Sequence, residues 1–141
     1  MQEKTFFMLK PDGVKRGLEE NIFSRLEAAG FKIDKKVKRS VTAEQAADLY
    51  LPHQGKNFYP GLIKFITSGP VITCQVSGEN VISRLRELMG DTDPLAAAAG
   101  TIRGDLKEEE VINQDGIIKN LVHGSDSPQS AERELAIFFR P

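Results

Sequence analysis

The chain has 141 residues, 40% hydrophobic and 28% charged, and 19 Lys+Arg against 20 Asp+Glu leave a net charge of -1. That is enough chain for one domain with a buried core, and it excludes long disorder, which needs low hydrophobicity and high net charge. The near-neutral balance argues against bulk binding of nucleic acid, the single Cys74 against an intramolecular disulfide or a Cys-rich zinc site, and the lack of an apolar run near the roughly 20 residues of a membrane span against a membrane protein. No repeat, linker or low-complexity tract divides the sequence, so a single domain over 1–141 is expected. The opening MQEKTFF carries no secretory pattern, which makes the cytoplasm the expected compartment.

Residues 5–10 (TFFMLK) form a nearly continuous apolar run, as in a central strand covered on both faces, and Pro11-Asp12-Gly13 breaks it. Leu18, Ile22, Leu26 and Ala29 recur at helical spacing and predict a helix over 18–29, ended by Gly30. Residues 31–41 read as a strand whose charged partners suggest an exposed face or edge. Thr42, with Gln45 three positions on, predicts a capping box for a helix over 43–50. HQGKNFYPG reads as a loop, 62–67 as a short helix, 71–76 as a β-branched strand and 79–89 as a helix stopped by Gly90. Residues 91–118 are largely irregular apart from a turn of helix at LAAAA, and 121–123 form a short strand. Ser127 and Pro128 then cap a last helix with Ala131, Leu135 and Phe138 on its apolar face. Without the two extra helices the order is βαββαβ. The expected architecture is therefore an α/β protein, an α+β sandwich, with a ferredoxin-like antiparallel four-stranded sheet and added helices.

The common nucleotide and hydrolase signatures are missing, and the two histidines, His53 and His123, lack a metal-ligand pattern. The chemistry must come from elsewhere. His123 stands where a strand ends and small polar residues begin, and Gly124 removes bulk beside its ring. An imidazole can be a nucleophile, and a carboxylate can orient it. Glu134 borders the apolar face of the last helix, and Ser125 can bridge the two. The same spacing also fits a hydrogen-bonded strand-end histidine with a surface glutamate. Lys10 ends a central strand, where ligands often meet a sheet, or it is a solvated lysine before a turn. Arg86, Thr92 and Arg103 supply forked donors and a hydroxyl that suit phosphate oxygens. The alternative for the arginines is ion pairing with Asp91, Asp93 or Asp105. Phe58 and Tyr59 follow Lys56-Asn57 in a loop, where they can stack on a base or form a satellite core cluster. Cys74 alternates with Ile72 and Val76 and reads as a core residue. His53 receives no role.

Taken together, KPDGVKRG at 10–17, SGPV at 68–71, GTIRGD at 100–105 and NLVHGSDSPQSAERE at 120–134 form a specific set. In these motifs and their order, over about 4–139, the chain resembles the nucleoside diphosphate kinases. The resemblance implies ping-pong transfer of the γ-phosphoryl group from a nucleoside triphosphate, mainly ATP, to a nucleoside diphosphate. A phosphohistidine at His123 would be the intermediate, with Glu134 holding the ring and Ser125 helping. Lys10, Tyr50, Arg86, Thr92 and Arg103 match the phosphate-side residues, and Lys10 and Asn120 the contacts to the sugar 3′-hydroxyl. Phe58 matches the stacking aromatic, and Leu62 lines the same slot. Low base specificity, Mg²⁺ carried on the nucleotide phosphates and a homo-oligomer, a hexamer or a tetramer of dimers, are implied as well. Nucleic acid and membranes are not expected as main partners.

Several positions depart from the family pattern. Lys56 and Lys119 stand where arginine is common, and the stretch between Asp105 and Lys119 is several residues longer than usual. The chain ends at Phe139-Arg140-Pro141, where many members carry a longer tail, which leaves the oligomer number open. Three other readings stay open: a nucleotide-sensing domain needing the cations but not His123, a histidine phosphatase, and a secondary nucleic-acid binder.

Overall fold

The structure, a computed structural model, describes residues 2–139. Its elements are β1 (Gln2–Leu9), α1 (Pro11–Lys15), α2 (Glu19–Ala28), β2 (Lys32–Arg39), α3 (Ala43–Leu49), α4 (Tyr59–Ile66), β3 (Val71–Glu79), α5 (Val81–Met89), α6 (Ile102–Leu106), β4 (Val122–Gly124) and α7 (Pro128–Phe138), with a 3₁₀ turn at Leu51–His53. The four strands form one antiparallel sheet in the order β2-β3-β1-β4. This is the expected βαββαβ arrangement with helices added.

The continuous apolar run of β1 is explained by its position in that sheet. Phe7 and Leu9 point to one face, into a core with Ile22 and Leu26 of α2 and Leu85 of α5. Phe6 and Met8 point to the other, against Ala46 and Leu49 of α3 and Phe138 of α7. Successive side chains of a strand alternate between faces, so only a doubly covered strand is apolar at every position. All four are fully buried, each contributing roughly 1.5–3 kcal/mol from leaving water. β2 is an edge strand, mostly exposed and rich in lysine, as its sequence suggested. Cys74 is buried in the core, where burial pushes its thiol up to about 12.

Local chemistry set several boundaries correctly. Thr42 and Gln45 make both bonds of the capping box, each at 3.0 Å. Ser127 Oγ accepts the Ser130 N–H at 3.0 Å. Other readings need correction. Pro11-Asp12-Gly13 does not only end β1. It starts α1, because proline at the first helical position loses no hydrogen bond. For the same reason Tyr59 and Pro60 open α4 rather than closing a loop. The span 91–118 contains α6, capped by Thr101 Oγ1 accepting from Gly104 N–H at 3.1 Å. At LAAAA there is only a turn. Among the described residues no helix is long and apolar enough to cross a membrane. The chain end beyond Phe139 lies outside the described residues.

Candidate active site

β4 lies beside β1, with Met8 opposite His123 in the ladder. The segment entering β4 bends sharply. Leu121 has a φ of 70°, and Val122 N–H bonds back to Asn120 O at 2.7 Å, closing a three-residue γ-turn. A leucine at positive φ costs on the order of 1–3 kcal/mol and persists only where its surroundings over-determine it. Here they do. Leu121 N–H donates to Asp12 Oδ2 at 2.9 Å, and Leu121 O accepts the Lys10 N–H at 2.8 Å. α1 and the end of β1 thus set the position of the histidine strand. Asp12 was not singled out in the sequence, where it reads as one residue of a turn. Its carboxyl is raised by burial, a shift that the neighbouring Lys10 charge opposes.

His123 Nε2 lies 2.7 Å from Glu134 Oε1 on α7. The same oxygen accepts the Ser125 hydroxyl at 2.7 Å, so Ser125 backs the glutamate rather than bridging it to the ring. Arg133 Nη2 lies 3.4 Å from Glu134 Oε2 and also reaches the Leu49 carbonyl at 3.5 Å. Glu134 is 4% exposed. Burial pushes its carboxyl up, but the bond and charge of His123, with Ser125 and Arg133, outweigh it, and the net shift is downward. Gly124 follows His123, and a Cβ there would strike Met89 Sδ at 2.7 Å. Its missing side chain lets β4 sit against α5.

His123 and Glu134 open onto a cavity of about 560 Å³, and Lys10, Arg86 and Arg103 bring positive charge to it. Lys10 Nζ donates to Asn120 Oδ1 at 2.9 Å, and Asn120 Nδ2 donates to the Thr92 carbonyl at 3.0 Å. Burial, then the Arg103 charge, bring the Lys10 ammonium down to about 8. Arg103 is anchored through the backbone, donating to Asn120 O (3.0 Å), Gly90 O (3.1 Å) and Val122 O (2.7 Å). Burial and the nearby Arg86 charge lower it to about 10. Arg86 Nη1 donates to Gly124 O at 3.1 Å. Asp105 pairs with Arg25 at 2.8 Å, not with Arg103.

The outer part of the cavity is apolar. Phe58, 43% exposed, and Leu62 line it, as does Tyr50, whose hydroxyl is buried with no partner among the described residues. Burial, then the Glu134 charge, keep that phenol neutral. Lys10, Tyr50, Phe58, Leu62, Arg86, Thr92, Arg103, Asn120, His123 and Glu134 therefore converge on this cavity, with Ser125 just behind its wall, whereas Tyr59 packs against the core of Phe6, Met8 and Phe138 instead. Others came in unannounced. His53 packs its ring 5.4 Å from that of Phe58, and Lys56 Nζ lies 3.3 Å from His53 Nδ1. Asp126 and Ile117 also line the cavity. Asp126 sits within the same polar run as His123, which was the available clue, whereas nothing in the local pattern marked Ile117.

Residues 3–141 match a family model described as nucleoside diphosphate kinase. The chain is 49% identical over 137 residues to a nucleoside diphosphate kinase of Streptococcus agalactiae, covering 97% of this chain and 98% of that one. It is 47% identical over 138 residues to one of Carboxydothermus hydrogenoformans, covering 98% and 88%. Among solved structures it is similar to the Halobacterium salinarum nucleoside diphosphate kinase in complex with CDP, with a TM-score of 0.90 and 43% identity, covering 100% of this chain and 90% of that one. A Borrelia burgdorferi nucleoside-diphosphate kinase with bound vanadate and ADP, a transition-state mimic, gives a TM-score of 0.90 at 36% identity, covering 98% and 87%.

Proposed function

The chain belongs to the nucleoside diphosphate kinase family, and from that premise we propose that His123 carries the phosphoryl group on its way from donor to acceptor. The reaction is transfer of the γ-phosphoryl group of a nucleoside triphosphate to a nucleoside diphosphate. One contact carries the assignment, His123 Nε2 to Glu134 Oε1 at 2.7 Å. An ionised carboxylate only accepts hydrogen bonds, so Nε2 bears the hydrogen and Nδ1 keeps its lone pair. Nδ1 attacks the γ-phosphorus as the bond to the β–γ bridging oxygen breaks, and the diphosphate leaves with that electron pair. A second diphosphate attacks through a β-phosphate oxygen, and the P–N electron pair returns to Nδ1. Positive charge that develops on the ring falls beside the Glu134 carboxylate.

Phosphoryl transfer asks mainly for positioning and charge neutralisation. Lys10, Arg86 and Arg103 would take the phosphate oxygens, with the Thr92 and Tyr50 hydroxyls, and Lys10 and Asn120 would meet the sugar 3′-hydroxyl. Phe58 and Leu62 would hold the base by stacking and contact, which tolerates every base. Among the described residues no cluster of three or more His, Cys, Asp or Glu forms a metal cage. An Mg²⁺ brought in on the substrate phosphates would neutralise their charge. Asp126, whose carboxylate lines the same cavity, would help to hold it. We also read residues 1–141 as one domain of a cytoplasmic homo-oligomer, a hexamer or a tetramer built from a common dimer, whose mass sedimentation would give.

Incubation with γ-labelled ATP and Mg²⁺, without a diphosphate, tests the assignment. The expected result is acid-labile, base-stable label on the wild type, none on His123→Ala, and transfer of the label to GDP or dCDP on chase. ATP binding without labelling would favour a nucleotide-sensing domain, and label released only to water would indicate a phosphatase.

A further inference from the structure

Residues 111–119, between α6 and β4, fold back on themselves as a short hairpin. Asn113 N–H donates to Ile117 O at 2.9 Å, Lys119 N–H to Val111 O at 2.7 Å, and Ile112 bridges Ile118. One side chain ties the turn. Asn113 Oδ1 accepts the N–H groups of Asp115 and Ile117, both at 2.9 Å. Gly116 takes a φ of 77°, which glycine adopts without strain. One side of the hairpin, Gly116, Ile117 and Ile118, lines the catalytic cavity together with Phe58 and Leu62. The other side, from Ile112 to Asp115, lines a second cavity of about 1110 Å³.

Val111 and Ile117 of this wall are buried, but the two core clusters of the sheet do not include them, so few contacts decide where it stands. The tightest is with α4. Gly61 presents no side chain, and a Cβ there would meet Ile117 Cγ1 and Cδ1 at 3.1 Å. One turn on, Lys64 pairs with Asp115 at 3.2 Å, with the lysine largely exposed. An exposed pair of this kind positions weakly. Beside the backbone pairing of the hairpin and the Lys119–Glu108 ion pair at 3.3 Å that holds its end, the steric fit at Gly61 and the two bonds of Asn113 place Ile117.

We infer that Gly61 and Asn113 are positioning residues for base recognition, setting through Ile117 the width of the slot that Phe58 and Leu62 share with it. The inference rests on the reading that Phe58 and Leu62 hold the base. A slot built from apolar contacts offers no hydrogen-bond pattern to read, so it accepts every base and ranks them only by the contact area each one makes. A methyl group at Gly61 forces Ile117 away from α4 by a few tenths of an ångström. The wider slot then loses more contact with a purine, whose face is larger, than with a pyrimidine.

The test is calorimetric binding of Mg²⁺-GDP and Mg²⁺-CDP to the full chain and its Gly61→Ala, Asn113→Ala, Asn113→Asp and Phe58→Ala variants, with Tm recorded for each. Gly61→Ala and Asn113→Ala are expected to raise the Kd for GDP about fivefold more than that for CDP, below the roughly 10-fold worth of a whole lost methylene contact. Asn113→Asp keeps an oxygen for both N–H groups and is expected to restore the ratio. Alanine also suits a helix interior, so Gly61→Ala carries the test if Asn113→Ala fails to fold. Equal weakening of both nucleotides, or an unchanged ratio, overturns the inference. Phe58→Ala separates it from the reading beneath. If that variant weakens both nucleotides, the slot stands and an unchanged ratio in Gly61→Ala counts against the positioning role alone. If Phe58→Ala changes neither, the slot and the inference fall together.

Discussion

Two walls of one cavity are built in opposite ways. His123 sits on a strand that pairs with Phe7, Met8 and Leu9, the fully buried end of β1, its ring fixed by a 2.7 Å bond to a buried glutamate. The hairpin at 111–119 stands between two open spaces, held by a turn of its own and by contact with α4. The difference matches what the proposed function asks of each wall. A nucleophile has to stay within a fraction of an ångström of its line of attack, and misplacement is costly. A wall that faces bases of two sizes works without such rigidity. Core packing and a strained turn enforce the first wall, while local hydrogen bonds and contact with α4 hold the second.

Four substitutions or conditions probe this contrast. The largest effect is expected in the core behind His123. Phe7→Ala removes a fully buried ring from β1 and should cost about 3–5 kcal/mol of stability, measured by urea denaturation. A loss below 1 kcal/mol would mean that the wall is not held by its core. Next is pH. Lys10 sheds its proton at about 8 rather than 10.5. Nucleotide affinity should therefore fall as pH rises past 8, by up to about 10-fold per unit for one proton. Lys10→Arg should flatten the profile. The same shift acts on stability with the opposite sign. Between pH 8 and 10.5 the unfolded chain binds the extra proton, so the contribution of Lys10 to stability rises with pH there. Smaller again is Glu134→Gln, which replaces a charge-assisted bond with a neutral one about half as strong. It should lower kcat by about 5–10-fold with little change in KM, read in a coupled assay. A change in KM alone would make Glu134 a binding residue. The smallest is Lys64→Ala on the hairpin side, where losing an exposed ion pair should alter stability by less than about 1 kcal/mol.

The same contrast explains what was legible in the sequence. β1, the capping box at Thr42 and the Ser127-Pro128 start of α7 were readable because each rests on signals a few residues apart. His123 and Glu134 were readable because one motif holds the strand end and the helix that meet at the site. α1 was missed because Pro-Asp-Gly signals a turn as strongly as a helix start, and only the buried bond from Leu121 to Asp12 reveals its purpose. Arg103 was read as a phosphate ligand, and its three bonds to backbone carbonyls depend on chain reversals that spacing does not encode. The hairpin was hidden for a further reason. A single asparagine folds it, and the residue it fits, Gly61, lies on another element about 50 positions earlier.

The central claim is that Glu134 takes Nε2 of His123 and leaves Nδ1 to react. Nitrogen-15 NMR of histidine-labelled protein, phosphorylated by ATP, reads this directly. The geometry predicts phosphorus on Nδ1, with Nε2 still carrying its hydrogen. Phosphorus bonded to Nε2 would require the Glu134 contact to break and would contradict the assignment.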